Sequence, residues 1–165
     1  MRPYRVAYEH PTQLLASAFL RALAEGEHAA VWAGLSRESR GLLEGRYASA
    51  AKIALHHAAS VEADAADARL AEAVGPLRAS VLAVAGGPEQ LLSLGVSAAR
   101  LVDRATAYVL LLPDFGEERI VGEGEWHPAH LLAFVYESRE WLVDLGRTAD
   151  LSADAELPSP LGSIQ

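Results

Sequence analysis

Asp103 stands two and four residues before Ala105 and Ala107, so in an extended strand all three turn to one side, which the spacing makes the inner one. Among small apolar neighbours, loss of water would raise the pKa of this carboxyl toward the range where it exchanges protons near neutrality. Arg100 and Arg104 stand close enough in sequence to pair with it instead, as a strand-end ion. His127 and His130 have the spacing of two metal ligands, but Pro128 favours a turn over a helix presenting both, and no third ligand accompanies them. His56 and His57 are adjacent, and on a helix they diverge by about 100 degrees. Gly122 and Gly124 alternate with Glu123 and Glu125 and lack the helix that a phosphate loop opens. The expectation is therefore no metal and no cofactor. What remains is a set of rings, Trp32, Trp126, Phe134, Tyr136 and Trp141, which with the small Ala107 would either fill a core or line an apolar pocket.

Most of these residues depend on one stretch, 104–146, the only part of the chain that alternates apolar and polar residues as consecutive strands do. Its last hairpin can be registered by chemistry, because a slip of one residue inverts every side chain. A loop at Glu137 to Glu140 sets Tyr136 opposite Trp141, Phe134 opposite Val143 and Leu132 opposite Leu145, collecting six apolar side chains on one face. An earlier hairpin is expected to turn at Pro113-Asp114-Phe115-Gly116-Glu117. There Ala105, Ala107, Val109 and Leu111 share a side with Ile120, Gly122, Gly124 and Trp126, a trough that large rings or a ligand would cover. With a short connection or a bulge at 126–131, Phe134 and Tyr136 cover Gly124 and Gly122. With a longer one, the aromatic face turns outward.

Nearly everything before this sheet reads as helix, from residue 10 to residue 95. Pro11 opens a first helix with Leu15, Phe19, Ala22 and Leu23 at helical spacing, and Gly26 ends it. A second runs from Glu27 to Ala33 and closes at Gly34, and Ser36 caps a third. A stripe from Arg46 to Ser60 makes another. Val61 to Val74 is alanine-rich, either an exposed helix or a mobile connection; Gly75-Pro76 reads as a break, and Pro88 starts a short helix that stops at Gly95. Arg2 to Tyr8 place Tyr4, Val6 and Tyr8 at alternate positions, an extended arm that could add to a sheet edge or a frayed terminus. The reading is one α+β domain over 1–146, with helices in 10–95 and sheet in 98–146, then a flexible tail over 147–165.

Composition narrows the classes of function. The 165 residues carry a net charge of −8, and residues 53 to 165, which hold the sheet, contain seventeen acidic against seven basic side chains. Binding of nucleic acid through phosphate neutralisation is not expected of such a surface, and Arg37, Arg40, Arg46 and Lys52 read as a solvated helix face. There is no cysteine. No run approaches the roughly 20 apolar residues of a membrane span, so the expectation is a cytoplasmic protein that does not bind membranes.

Three stretches together resemble the nuclear transport factor two-like superfamily, which includes the ketosteroid isomerases, scytalone dehydratase and polyketide cyclases. LLASAFLRALAEGEHAAVWAGLS is similar to its opening helix, acidic glycine turn and second helix with a Trp; ARLVDRATAYVLLLP fits its long central strand; FVYESREWLVDLG resembles its closing hairpin. About half of the chain is covered, and 46–95 is longer and richer in alanine than the usual insert. The resemblance implies a cone, helices closing one end of a curved antiparallel sheet, often dimeric through the sheet. It also implies that Asp103 could abstract a proton next to a carbonyl, with Tyr136 or a His donating to the oxyanion. The expectation is a non-catalytic homodimer holding an apolar small molecule, with an isomerase, dehydratase or cyclase using Asp103 as the alternative.

Overall fold

The computed structural model describes residues 10–54, 68–112 and 129–161. Their order is α1 (Pro11–Glu25), α2 (His28–Ala33), α3 (Arg37–Ala51), α4 (Ala68–Ala85), α5 (Pro88–Leu92), β1 (Gly95–Val96), β2 (Arg100–Leu101), β3 (Thr106–Leu112), β4 (His130–Glu137), β5 (Glu140–Val143) and α6 (Leu145–Asp154). The class is α+β, with the leading helices packed on a curved, half-barrel antiparallel sheet.

The helices begin and end where side chains can satisfy the backbone groups left over at their termini. At the start of α1, His10 Nδ1 accepts from the Thr12 N–H, and Gln13 Oε1 accepts from the His10 N–H. Its other end turns at Gly26 with φ 73°, and Arg78 of α4 donates to the Leu23 and Ala24 carbonyls at 2.6 and 3.0 Å. A cation at that end also meets the negative pole of the helix. Arg40 does the same for α2, donating from Nε to the Trp32 and Leu35 carbonyls. This arginine, one of three that form the basic strip with Lys52, is therefore a helix cap.

α3 runs unbroken through Gly45 from its Ser36 cap to Lys52, joining what the sequence divides into two helices. α4 runs through Gly75-Pro76, where a break is expected. Leu70, Ala73, Val74, Leu77 and Val81 are all buried, and this one apolar stripe outweighs the hydrogen bond that Pro76 cannot give the Glu72 carbonyl. Replacing Pro76 by Ala should therefore raise stability by about 2 kcal/mol, read by urea unfolding. A loss instead would mean that the backbone shape imposed by proline seats Val74 and Leu77.

The sheet order is β1–β3–β4–β5, with β2 also on β3. β4 pairs with β3 as Ala107↔Phe134, Val109↔Leu132 and Leu111↔His130, and with β5 as Phe134↔Val143 and Tyr136↔Trp141. The expected register of the closing hairpin is the observed one over those pairs. The turn is tighter: Glu137 pairs with Glu140, and only Ser138 and Arg139 turn, both with positive φ. Leu145 does not face Leu132, because the strand gives way at Asp144 to α6.

Two other expectations are corrected. The sequence places Ile120 to Trp126 beside β3 after the turn at 113–117, but β4 fills one edge of β3 and β1 with β2 the other. The nearly continuous apolar run HLLAFVY buries far more surface than a glycine-spaced acidic one can, which favours it beside the central strand. Residues 113–128, with Trp126, lie outside the described residues. The stretch read as a flexible tail, 147–165, holds most of α6, which packs along β4; its Thr148, Ser152 and Leu161 are buried. Thr148 Oγ1 accepts from the Ala133 N–H at 3.0 Å, serving β4 where β5 has ended.

Candidate functional site

α1, α2 and the β4–β5 hairpin enclose a cleft of about 680 Å³. Alternation sets the hairpin's contribution, since Phe134, Tyr136, Trp141 and Val143 share the inner face of the sheet. Helical spacing sets that of α1, which presents Pro11, Leu15, Ala18, Phe19 and Ala22. The end of α2 closes in because Gly34 has no side chain; a Cβ there would come within 3.2 Å of the Phe19 ring. The wall is almost wholly apolar, and the charged residues lining it are Arg139 and Glu140.

The rings grade from core to solvent. Phe134 is fully buried against Val143, while Tyr136 is 45% exposed. Trp141 lies between them in exposure, with its ring 5.2 Å from that of Tyr136 and 5.2 Å from that of His10, which meets it edge-on. Leu15, 38% exposed, stands in the opposite wall.

Of the residues read from the sequence as a pocket, Phe134, Tyr136 and Trp141 line this cleft. Trp32 and Ala107 are buried and do not line it; the Trp32 ring lies under the Arg40 guanidinium at 5.9 Å, and Ala107 faces Phe134 across the sheet. The α1 and α2 residues were not singled out as lining. Their signal was the run of small residues Ala18, Ala22, Ala30, Ala33 and Gly34, which leaves space between helix and strand.

Asp103 is elsewhere. It is exposed in the turn between β2 and β3 and does not line the cleft. Its Oδ1 accepts from the Ala105 N–H at 2.7 Å, and that bond, with smaller help from Thr106 and Arg147, holds its carboxyl below the ordinary carboxylate value. The direction is opposite to the one a buried base would show. A depressed pKa in the folded state contributes stability above the ordinary carboxylate range, lost as pH falls through the folded value. Asp103→Asn should accordingly be slightly less stable than the native chain at neutral pH and indistinguishable from it in strong acid, read by urea unfolding at both. His127 lies outside the described residues, whereas His130 opens β4 with its Nδ1 3.2 Å from the Pro158 carbonyl oxygen. Among the described residues there is no cluster of three potential metal ligands.

The described residues form an α+β fold in which an open cleft lies between the first two helices and the β4–β5 hairpin of a curved sheet. No protein-family model, curated protein or solved structure matches the chain. No helix among the described residues is long and apolar enough to cross a membrane.

Proposed function

We propose that this is a non-catalytic protein that binds an apolar small molecule in the cleft between α1, α2 and the β4–β5 hairpin. The observation that carries the reading is a cavity of about 680 Å³ walled by Leu15, Phe19, Phe134, Trp141 and small residues of α1 and α2. Such a volume, with few polar groups at its rim, matches the usual dimensions of small-molecule sites. Asp103, the base of the catalytic alternative, stands outside this cleft. The cone-forming superfamily that the sequence resembles offers a precedent in shape for a cavity closed by leading helices, and a cytoplasmic location fits the acidic, cysteine-free chain.

The test is titration with the neutral dye N-phenyl-1-naphthylamine. Saturable enhancement of its fluorescence is expected from the native chain, and Ala18→Trp, which adds an indole to an exposed position of the wall, should weaken it at least about tenfold. Leu101→Ser, on the other side of β3 from β4, should leave it unchanged. Absence of saturation, or equal binding by Ala18→Trp, would remove the ligand reading.

Pairing of two copies through the sheet is the second part of the proposal. It rests on the sheet face opposite the leading helices, where Tyr108, Leu110 and Val135 are each only half-buried. Apolar surface of that kind is what a second sheet would cover. Sedimentation showing a monomer at every concentration would dispose of it.

A further inference from the structure

The cleft differs at its two ends. At the inner one Phe19, Phe134 and Val143 are buried, and the Val143 N–H donates to the Gly34 carbonyl. Toward solvent the rings run from Trp141 to Tyr136, 5.2 Å apart, and the His10 ring beside Trp141 brings the start of α1 to the same end. Arg139 stands in the hairpin turn just beyond the Tyr136↔Trp141 pair and lines the cleft there. Strand alternation turns Glu140, the other charged residue of the wall, to the opposite face with its partner Glu137. The mouth therefore carries the Tyr136 hydroxyl and the Arg139 guanidinium, both able to donate, and among the described residues neither has a partner. Ser138 and Arg139 hold φ 51° and 68°, a turn whose second position ordinarily belongs to glycine. An arginine there carries backbone strain, and such strain collects where side chains hold ligands. The positive pole of α1 adds to the field at this end, although the His10 cap already takes the Thr12 N–H.

We propose that the cleft takes an amphiphile, an apolar body with a carboxylate head, and that Arg139 holds the head at the mouth with Tyr136 as a second donor. The inference rests on the ligand reading and narrows it from apolar molecules at large to apolar carboxylates. The planar fork of an arginine matches the two oxygens of a carboxylate, whereas a neutral head would leave most of its donors to water. The apolar body then runs inward past Trp141 to Phe134, following the order in which the rings are buried. Arg139 is itself exposed, so solvent and salt screen the pair and its preference for carboxylate is modest. Selectivity accordingly shows as a ratio of affinities between ligands that differ only in the head.

The experiment is displacement of N-phenyl-1-naphthylamine from the full chain by decanoate and by 1-decanol, which share an apolar body. The ratio of the two affinities is read in the native chain, in Arg139→Gly and in Arg100→Gln. Glycine suits the φ of the turn, so the first variant keeps the hairpin while losing the cation. Arg100 is exposed on β2 and does not line the cleft, so the second controls for the loss of a positive charge as such. The native chain is expected to favour decanoate by about fivefold. That preference should fall at least about threefold in Arg139→Gly and in high salt, but not in Arg100→Gln. A native chain that favours decanol or makes no distinction would overturn the inference, as would an unchanged ratio in Arg139→Gly or equal falls in the two variants. Dye binding stands in each of those cases, whereas a native chain that binds no dye removes the ligand reading and this inference with it.

Discussion

Phe134→Ala is expected to lower the unfolding free energy by about 4 kcal/mol, the largest effect of any single truncation considered for this chain. The ring is fully buried on β4, the strand between β3 and β5, with Ala107 across one side and Val143 across the other. Ala107 is itself fully buried, so the large ring fills the space that its small partner leaves, and no neighbouring side chain on that strand can collapse into the hole. The hole opens on the cleft, whose wall Phe134 forms in part. Apolar ligands should therefore raise the melting temperature of Phe134→Ala by more than they raise that of the native chain, since part of the lost contact can be replaced. Urea unfolding reads the first effect, and thermal unfolding with and without N-phenyl-1-naphthylamine reads the second. A loss below about 1.5 kcal/mol would show that the inner face of the sheet is not packed against the helices as described.

The same ring explains why the closing hairpin was legible in sequence. Phe134, Tyr136, Trp141 and Val143 alternate strictly, and only one register puts all four on one side, so pattern and pairing give the same answer. Helix ends were legible for a similar reason, because Pro11, Gly26, Gly34 and Ser36 each serve a terminus by local chemistry. Where the outcome depended on tertiary competition, local rules did not reach. Pro76 reads as a break until the stripe from Leu70 to Val81 is seen buried on one face, and the partner of β3 is decided by which strand buries more surface. Asp103 was placed by extending strand parity backward from Ala105, but the chain turns there, and a side chain that caps a turn faces water. The cleft was half legible: its rings are conspicuous, whereas its helical wall is built from alanines, which in sequence carry helix propensity and nothing about the space they leave.

Asp144→Ala is expected to cost about 3 kcal/mol, for reasons equally invisible to hydrophobic periodicity. Asp144 is 2% exposed and joins three elements. Its Oδ1 accepts from the Arg147 N–H at 2.7 Å and so caps α6, while its Oδ2 accepts from the Ser36 hydroxyl at 2.7 Å, at the start of α3. Ser39 Oγ, 2.8 Å from Ser36 Oγ, accepts from the Leu145 N–H, which closes the arrangement on the far side of the aspartate. Alanine removes one helix cap and takes from the buried Ser36 hydroxyl its charged acceptor, leaving it only Ser39 Oγ, two losses that add. The helix that suffers is α6, whose buried residues include Thr148 and Ser152 and whose apolar stripe is correspondingly thin, which is why this stretch reads as a tail when the cap is overlooked. In a cycle with Ser36→Ala, the coupling between the two sites should be about 1 to 2 kcal/mol, because removing both partners leaves neither unpaired. Amide exchange across 145–154 should quicken in Asp144→Ala before exchange in β3 does. If the two substitutions instead add within about 0.3 kcal/mol, serine and aspartate act separately, and α6 must be held to the sheet by Leu145 and the Thr148 bond to Ala133 alone.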